Sequence, residues 1–236
     1  MSPELREKLQ AVSVATLATA LYKRGLRNQV VQGVGPVAAK GRNMVGPAFT
    51  LRYMPAREDR NQLVEFRNPE HPQRVAIETC PEGHVLVMDS RKDARAASAG
   101  DILITRLMMR GAAGVVTDGG LRDAATIGAL EMPAYHARPS SPTNLTLHEA
   151  IEINGPVGCG DAPVFPGDIV VGDDDCVIII PADIAEEVAE EAVEMTAYED
   201  FVVEQVKDGA GIIGLYPGTK QENLDKFAAW RKANNR

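Results

Sequence analysis

The sequence predicts a mixed α/β fold, and three observations carry that prediction. Between residues 85 and 136, short apolar runs alternate with helical spacing: residues 85–88, 114–117 and 133–136 read as buried strands, and residues 101–109 and 123–130 as helices. Such a βαβαβ pattern favours parallel sheet. Beyond it, residues 150–157, 169–171 and 177–180 are β-rich runs divided by Gly, Pro and Asp clusters, the mark of an antiparallel section. Residues 183–206 then mix acidic and apolar positions as a long amphipathic helix, and residues 221–232 read as a terminal helix after the Pro217-Gly218 break.

The N-terminal third fills in the rest. Ser2, Pro3 and Glu4 form a helix start with proline at the first helical position, and Leu5, Leu9, Val12, Val14, Leu17 and Leu21 extend the helix to about Tyr22. After the glycines at 33, 35 and 41, residues 44–53 read as a strand and residues 57–66 as a short charged helix. One domain over residues 1–236 is expected, with residues 183–236 as a C-terminal helical region.

Composition narrows the function. Of 236 residues, 44% are hydrophobic, enough for a substantial core, yet no apolar run approaches the roughly 20 residues of a membrane span. The charged N-terminus gives no export or transit signal, so a soluble, cytoplasmic protein is expected. A net charge of −8, no long Lys/Arg run and 5% aromatic residues argue against nucleic-acid binding. Cys80, Cys159 and Cys176 are widely spaced, which disfavours both a disulfide framework and a cysteine-ligated zinc.

The densest chemistry lies between Gly100 and Asp123. Gly100, Asp101, Ile102 and Leu103 open one helix, and Asp118-Gly119-Gly120-Leu121-Arg122-Asp123 follows the strand ending at Thr117. Loops at the carboxyl ends of parallel strands line ligand crevices, and helix N-termini offer free N–H groups to an anion. Arg122 would grip a carboxylate with its two-pronged guanidinium, and Gly119 and Gly120 would let backbone and ligand approach closely. Asp123 would be a hard oxygen ligand for Mg²⁺ or Mn²⁺, with Asp101 orienting a water. On these residues alone, a plain turn with a helix cap is the favoured reading.

Residues 12–17 and 25–27, 45–51, 100–103, 114–123 and 166–181 together resemble, in order, the RraA-like family. That family includes 4-hydroxy-4-methyl-2-oxoglutarate/4-carboxy-4-hydroxy-2-oxoadipate aldolases and a protein regulator of ribonuclease E. The resemblance covers about residues 10–215 and is most specific at Gly-Asp-x-Leu and Asp-Gly-x-x-Arg-Asp. It implies a swivelling β/β/α sandwich assembled as a homotrimer or homohexamer, with sites at subunit boundaries. It further implies that the substrate is a small oxoacid, whose pyruvyl carboxylate meets Gly100, Asp101, Ile102, Leu103 and Arg122. In the same way it places the metal at Asp123 and a water network at Asp101, and brings Glu199 from a neighbouring subunit. The activity implied is metal-dependent retro-aldol cleavage releasing pyruvate, with oxaloacetate decarboxylation as a side activity. The alternatives are a non-catalytic regulator of ribonuclease activity, or another oxoacid lyase or dehydratase. Cys176 stands where the family more often has Gly.

Other features are expected to be structural. Asp173-Asp174-Asp175 sits where a hairpin turn belongs; His71, His84, His136 and His148 have no metal-ligand spacing, although His136 ends a strand that could face the site. Glu186, Glu187, Glu190, Glu191 and Glu194 read as a solvated helix face.

Overall fold

The structure is a computed structural model that describes residues 1–234 and 236. Pro3–Gln10 (α1) starts at Ser2, whose hydroxyl accepts the Leu5 N–H at 3.0 Å. The single helix expected to Tyr22 is instead two. Ser13 takes extended backbone and its Oγ accepts the Thr16 N–H at 3.1 Å, capping Val14–Lys23 (α2). A serine that can satisfy the local N–H groups competes with helix continuation, so the chain turns there. Leu5, Leu9, Leu17 and Leu21 nevertheless bury in one cluster.

Gly35–Pro36 (β1) and Met44–Pro55 (β2) follow. The charged helix expected over residues 57–66 does not form; turns lead into a 3₁₀ helix at Leu63–Arg67 with no buried residue. A short segment with no apolar face to bury lacks the packing that sustains an α-helix. The middle of the chain then alternates closely as its spacing predicts: Pro72–Thr79 (α3), Val85–Asp89 (β3), Ala97–Ala99 (β4), Asp101–Met109 (α4), Gly114–Thr117 (β5), Gly120–Leu121 (β6), Ala124–Ala129 (α5), Ala134–His136 (β7) and Arg138–Pro139 (β8). The β-rich third comprises His148–Ile153 (β9), Val157–Cys159 (β10), Ala162–Val164 (β11), Ile169–Gly172 (β12) and Val177–Ile180 (β13). Ala185–Lys207 (α6) and Gln221–Asn234 (α7) complete the chain.

The parallel and antiparallel sections belong to one eight-stranded sheet, ordered β1-β7-β5-β3-β2-β12-β13, with β9 also on β2. Strands β2, β3, β5 and β7 run parallel. β2 is the hub: residues 48–52 pair with β3, residues 44–47 with β12 and residues 51–55 with β9. β3 and β5 are buried on both faces, as parallel strands covered on each side must be. Leu86, Met88 and Val115 pack with Ile77, Ile104 and Leu107 from α3 and α4. On the other face Val85, Val87 and Val116 meet Val164, Val170 and Ile179. A separate three-stranded parallel sheet, β4-β6-β8, has no counterpart in the sequence-based expectation.

Helix α6 buries Ala185, Val188, Ala189 and Ala192 against α1 and α2. Its acidic residues are not merely solvated. Lys8 pairs with Glu186 and Glu190, Lys23 and Arg24 with Glu191, and Arg231 with Glu194. Helix α7 folds back on α6 through the rings of Tyr198, Phe201, Phe227 and Trp230.

Close packing at the hub gives a test. A Cβ on Gly46 would lie 2.5 Å from the carbonyl oxygen of Gly83, a backbone atom with no side-chain freedom to yield. Gly46→Ala is expected to cost about 1–3 kcal/mol of unfolding free energy in a urea titration, and an unmoved midpoint would contradict this packing.

Candidate functional site

The small parallel sheet positions the chemistry. Strand β4 ends at Ala99 and passes through Gly100 into α4; β6 ends at Leu121 and passes through Arg122 and Asp123 into α5. The Arg122 N–H donates to the Ala99 carbonyl at 3.0 Å, fixing the two exits side by side. Both motifs therefore sit at the carboxyl ends of adjacent parallel strands, as their sequence placement suggested, but on the small sheet rather than the large one.

A cleft of about 220 Å³ opens at this junction, lined among others by Gly100, Asp101, Ile102, Leu103, Arg122 and Asp123. Asp101 Oδ1 accepts the Ile102 N–H at 2.8 Å, which leaves Oδ2 without a partner among the described residues. Asp123 has φ 55° and ψ 38°, left-handed backbone that is costly for a residue with a Cβ. Its side chain makes no capping hydrogen bond to α5, and Oδ2 lies 3.5 Å from where a Cβ on Gly100 would stand. A cap needs that bond, so the plain cap does not describe this carboxylate. Among the described residues, neither Asp123 nor Arg122 is in an ion pair.

The two glycines of the motif serve the protein rather than a ligand. A Cβ on Gly119 would lie 2.6 Å from Ser90 Cβ and Ser98 Oγ, and one on Gly120 2.4 Å from Ser140 Cβ. Ahead of them Asp118 is buried and accepts the N–H groups of Ser90 at 2.6 Å, Lys92 at 3.0 Å and Gly160 at 3.1 Å. Burial pushes its carboxyl above the usual range, and the backbone donors pull it back.

Glu199 lies outside this cleft within the chain. It sits on α6, accepting from Thr16 Oγ1 at 2.8 Å and Tyr216 Oη at 3.3 Å. His136 does not line the cleft either; it is buried, and burial lowers its pKa. Asp173 makes the turn expected of it, accepting the N–H groups of Asp175 and Cys176 at 3.0 Å and of Val14 at 2.8 Å. Sequence reasoning missed Phe66, Gln73, Arg74, Thr143 and Asn144, which complete the cleft. No spacing rule joins residues so far apart; only the packing of α3 and the 142–146 turn on β4 does. Gln73 Nε2 donates to Ser98 O at 2.6 Å, and Ala97 N to Pro142 O at 2.8 Å.

No three His, Cys, Asp or Glu side chains converge on a metal position among the described residues. A closed zinc site is therefore not what the donors offer. Asp123, with a free carboxylate, and Asp101 in the same cleft instead suit a hard cation that keeps several waters and takes one or two carboxylates.

Fold and cleft together define an α/β protein with a cleft lined by Arg122, Asp101 and Asp123 at the exits of two short parallel strands. The family model described as RraA-like, Aldolase/RraA, matches residues 14–179, and the chain belongs to this family. A protein of Halalkalibacterium halodurans named "Putative 4-hydroxy-4-methyl-2-oxoglutarate aldolase" is 33% identical over 134 residues, 57% of this chain and 63% of that protein. Protein DlpA of Legionella pneumophila is 24% identical over 208 residues, 88% of this chain and 32% of its own length. The chain thus spans less than two thirds of each of these two relatives. The crystal structure of RraAS2 from Streptomyces coelicolor, described as an unusual member of the RNase ES inhibitor RraA protein family, is 29% identical. It aligns with a TM-score of 0.75 over 85% of this chain and 96% of that one. The swivelling α/β sandwich with mixed sheet and C-terminal helices is accordingly the fold of this protein. No helix among the described residues is long and apolar enough to cross a membrane.

Because the Asp123 side chain makes no hydrogen bond or ion pair among the described residues, Asp123→Asn is expected to change unfolding free energy by less than about 0.5 kcal/mol. A larger loss in thermal or urea unfolding would restore a structural role.

Proposed function

We propose that this protein is a cytoplasmic lyase that uses Mg²⁺ or Mn²⁺ to cleave a 4-hydroxy-2-oxoacid, releasing pyruvate, and that decarboxylates oxaloacetate as a side reaction. The observation that carries the reading is the convergence of Gly100, Asp101, Ile102, Leu103, Arg122 and an uncommitted Asp123 carboxylate on one cleft. The name of the Halalkalibacterium halodurans relative supports the reaction class.

Arg122 clamps the pyruvyl carboxylate with two parallel hydrogen bonds, and the N–H groups at the start of α4 complete its cradle. A divalent cation held by Asp123, when bound, supplies Lewis-acid polarisation of the 2-oxo group. A water on the free Oδ2 of Asp101 relays the 4-hydroxyl proton to that carboxylate. The O–H electrons then form the carbonyl of the leaving half and the C3–C4 bond breaks. Its electron pair stays on the pyruvate half as an enolate, which gains a proton at C3 to become pyruvate. Loss of CO₂ from oxaloacetate gives the same enolate. Glu199 belongs to this scheme only through a neighbouring copy, in a homotrimer or homohexamer.

A coupled assay for pyruvate over 4-hydroxy-2-oxoacids and oxaloacetate, with and without Mg²⁺ or Mn²⁺, tests the proposal. Absence of activity across that panel would leave the protein-binding role of other family members. Arg122→Lys keeps the charge but loses the two-pronged geometry, so kcat/KM should fall roughly 100-fold with a raised KM. An unchanged value would remove Arg122 from the clamp. Asp123→Asn should lose several powers of ten in kcat, and exhaustive EDTA treatment of the wild type should do the same. Full turnover in either case refutes the metal assignment. Light scattering at micromolar concentration should report a trimer or hexamer, and the monomer mass alone would exclude Glu199.

A further inference from the structure

The strand that delivers the Gly100 to Leu103 motif is not regular. Ala97 of β4 partners Gly120 of β6 and Ala99 partners Leu121, so β4 takes two steps while β6 takes one, and Ser98 is the extra residue. Such a bulge turns the chain that follows it, and here the next residues are Ala99, Gly100 and the first turn of α4. The direction taken at Ser98 therefore sets where the N–H groups of that turn point.

Ser98 is fully buried and held through both its side chain and its backbone. Its Oγ lies 2.7 Å from Ser90 Oγ and from Thr117 Oγ1. Its carbonyl oxygen accepts the Tyr53 hydroxyl at 2.8 Å and the Gln73 amide at 2.6 Å, one donor for each lone pair. Tyr53 stands near the end of β2, where the pairing with β9 also slips: Arg52 partners Glu152, and Tyr53 partners Ala150. Its ring lies 5.6 Å from that of the buried His148. Burial raises the pKa of the phenol, so it keeps the proton it donates. A hydroxyl from the large sheet and an amide from α3 thus meet on the one carbonyl at which the small sheet bends.

We propose that Tyr53 and Gln73 are positioning residues that, by holding the bulged Ser98 carbonyl, aim the N–H groups at the start of α4 at the pyruvyl carboxylate. The inference rests on that carboxylate binding between α4 and Arg122. Gln73 lines the cleft but Tyr53 does not, so an effect of Tyr53 on a ligand has to pass through Ser98. With one donor removed the carbonyl keeps its other partner and the fold survives, while the first turn of α4 loses part of the restraint on its direction. Displacing a binding group by about 1 Å can cost up to about 100-fold in rate.

Calorimetric titration of pyruvate with Mg²⁺ present, paired with the NMR amide resonances of Gly100 to Leu103 in pyruvate-free protein, tests this. Tyr53→Phe removes only the hydroxyl; it should raise the pyruvate Kd about tenfold and shift those resonances. Gln73→Met should do the same. Gly46→Ala strains the hub of the large sheet against Gly83 rather than β4, and as the control it should leave Kd within about twofold. An unchanged Kd or unmoved resonances in Tyr53→Phe, an equal rise of Kd in Gly46→Ala, or no pyruvate binding by the wild type would overturn the positioning role. Pyruvate release from substrate, measured in parallel, separates the two readings. Turnover with a Kd indifferent to Tyr53 defeats positioning alone, and a Kd that depends on Tyr53 without turnover of any substrate defeats the lyase reading alone.

Discussion

The structure of the site depends on the burial of one carboxylate. Asp118 lies where β5 ends, and its three backbone hydrogen bonds reach the turn after β3 and the turn of the β10-β11 hairpin. Burying a charge without partners is expensive, and three N–H donors supply what water would have supplied. The chain leaving Asp118 is thereby fixed against both loops, and its next five residues are the glycine pair, Leu121, Arg122 and Asp123. Direction and register of the motif follow from an interaction that takes no part in the chemistry.

A chain of hydroxyls extends the same constraint. Ser98 Oγ lies 2.7 Å from both Ser90 Oγ and Thr117 Oγ1, and all three are fully buried. Gly119 must be glycine because two of these serines occupy the space its side chain would take. Polar groups this deep are tolerated because each finds a partner, and a satisfied network of this kind holds its members to one arrangement. The large sheet contributes the apolar mass, and the buried polar seam contributes the alignment.

Most of the fold was legible in the sequence, because long apolar runs with clear spacing encode strands and helices directly. Residues 101–109 and 114–117 match their expected elements, and the hairpin at Asp173 is where its cluster of acids placed it. The failures have local causes. Val12 and Val14 continue a helical stripe, yet Ser13 between them caps a new helix, and hydrophobic spacing alone does not register a cap. Strands of two or three residues such as β4, β6 and β8 are too short to show a period, so the sheet that carries the site was invisible. That Gly100, Asp101, Arg122 and Asp123 would meet in one cleft was legible because they belong to local motifs. Arg74 and Asn144 were not, since only tertiary packing brings them there.

The hydrogen bond from Arg122 N to Ala99 O joins two motifs that lie more than twenty positions apart in the chain. Together with strand pairing it makes Gly100 to Leu103 and Arg122 to Asp123 a single stiff wall. The facing residues, Phe66 to Arg74 and Thr143 to Asn144, come from a 3₁₀ helix, a short helix and a turn. That second wall is tied to the paired strands through Gln73 Nε2 on Ser98 O and Pro142 O on Ala97 N, and its other side chains take no part in the strand pairing. The cleft therefore has one wall whose shape is set by strand pairing and one whose side chains, Gln73 apart, can change without altering that pairing.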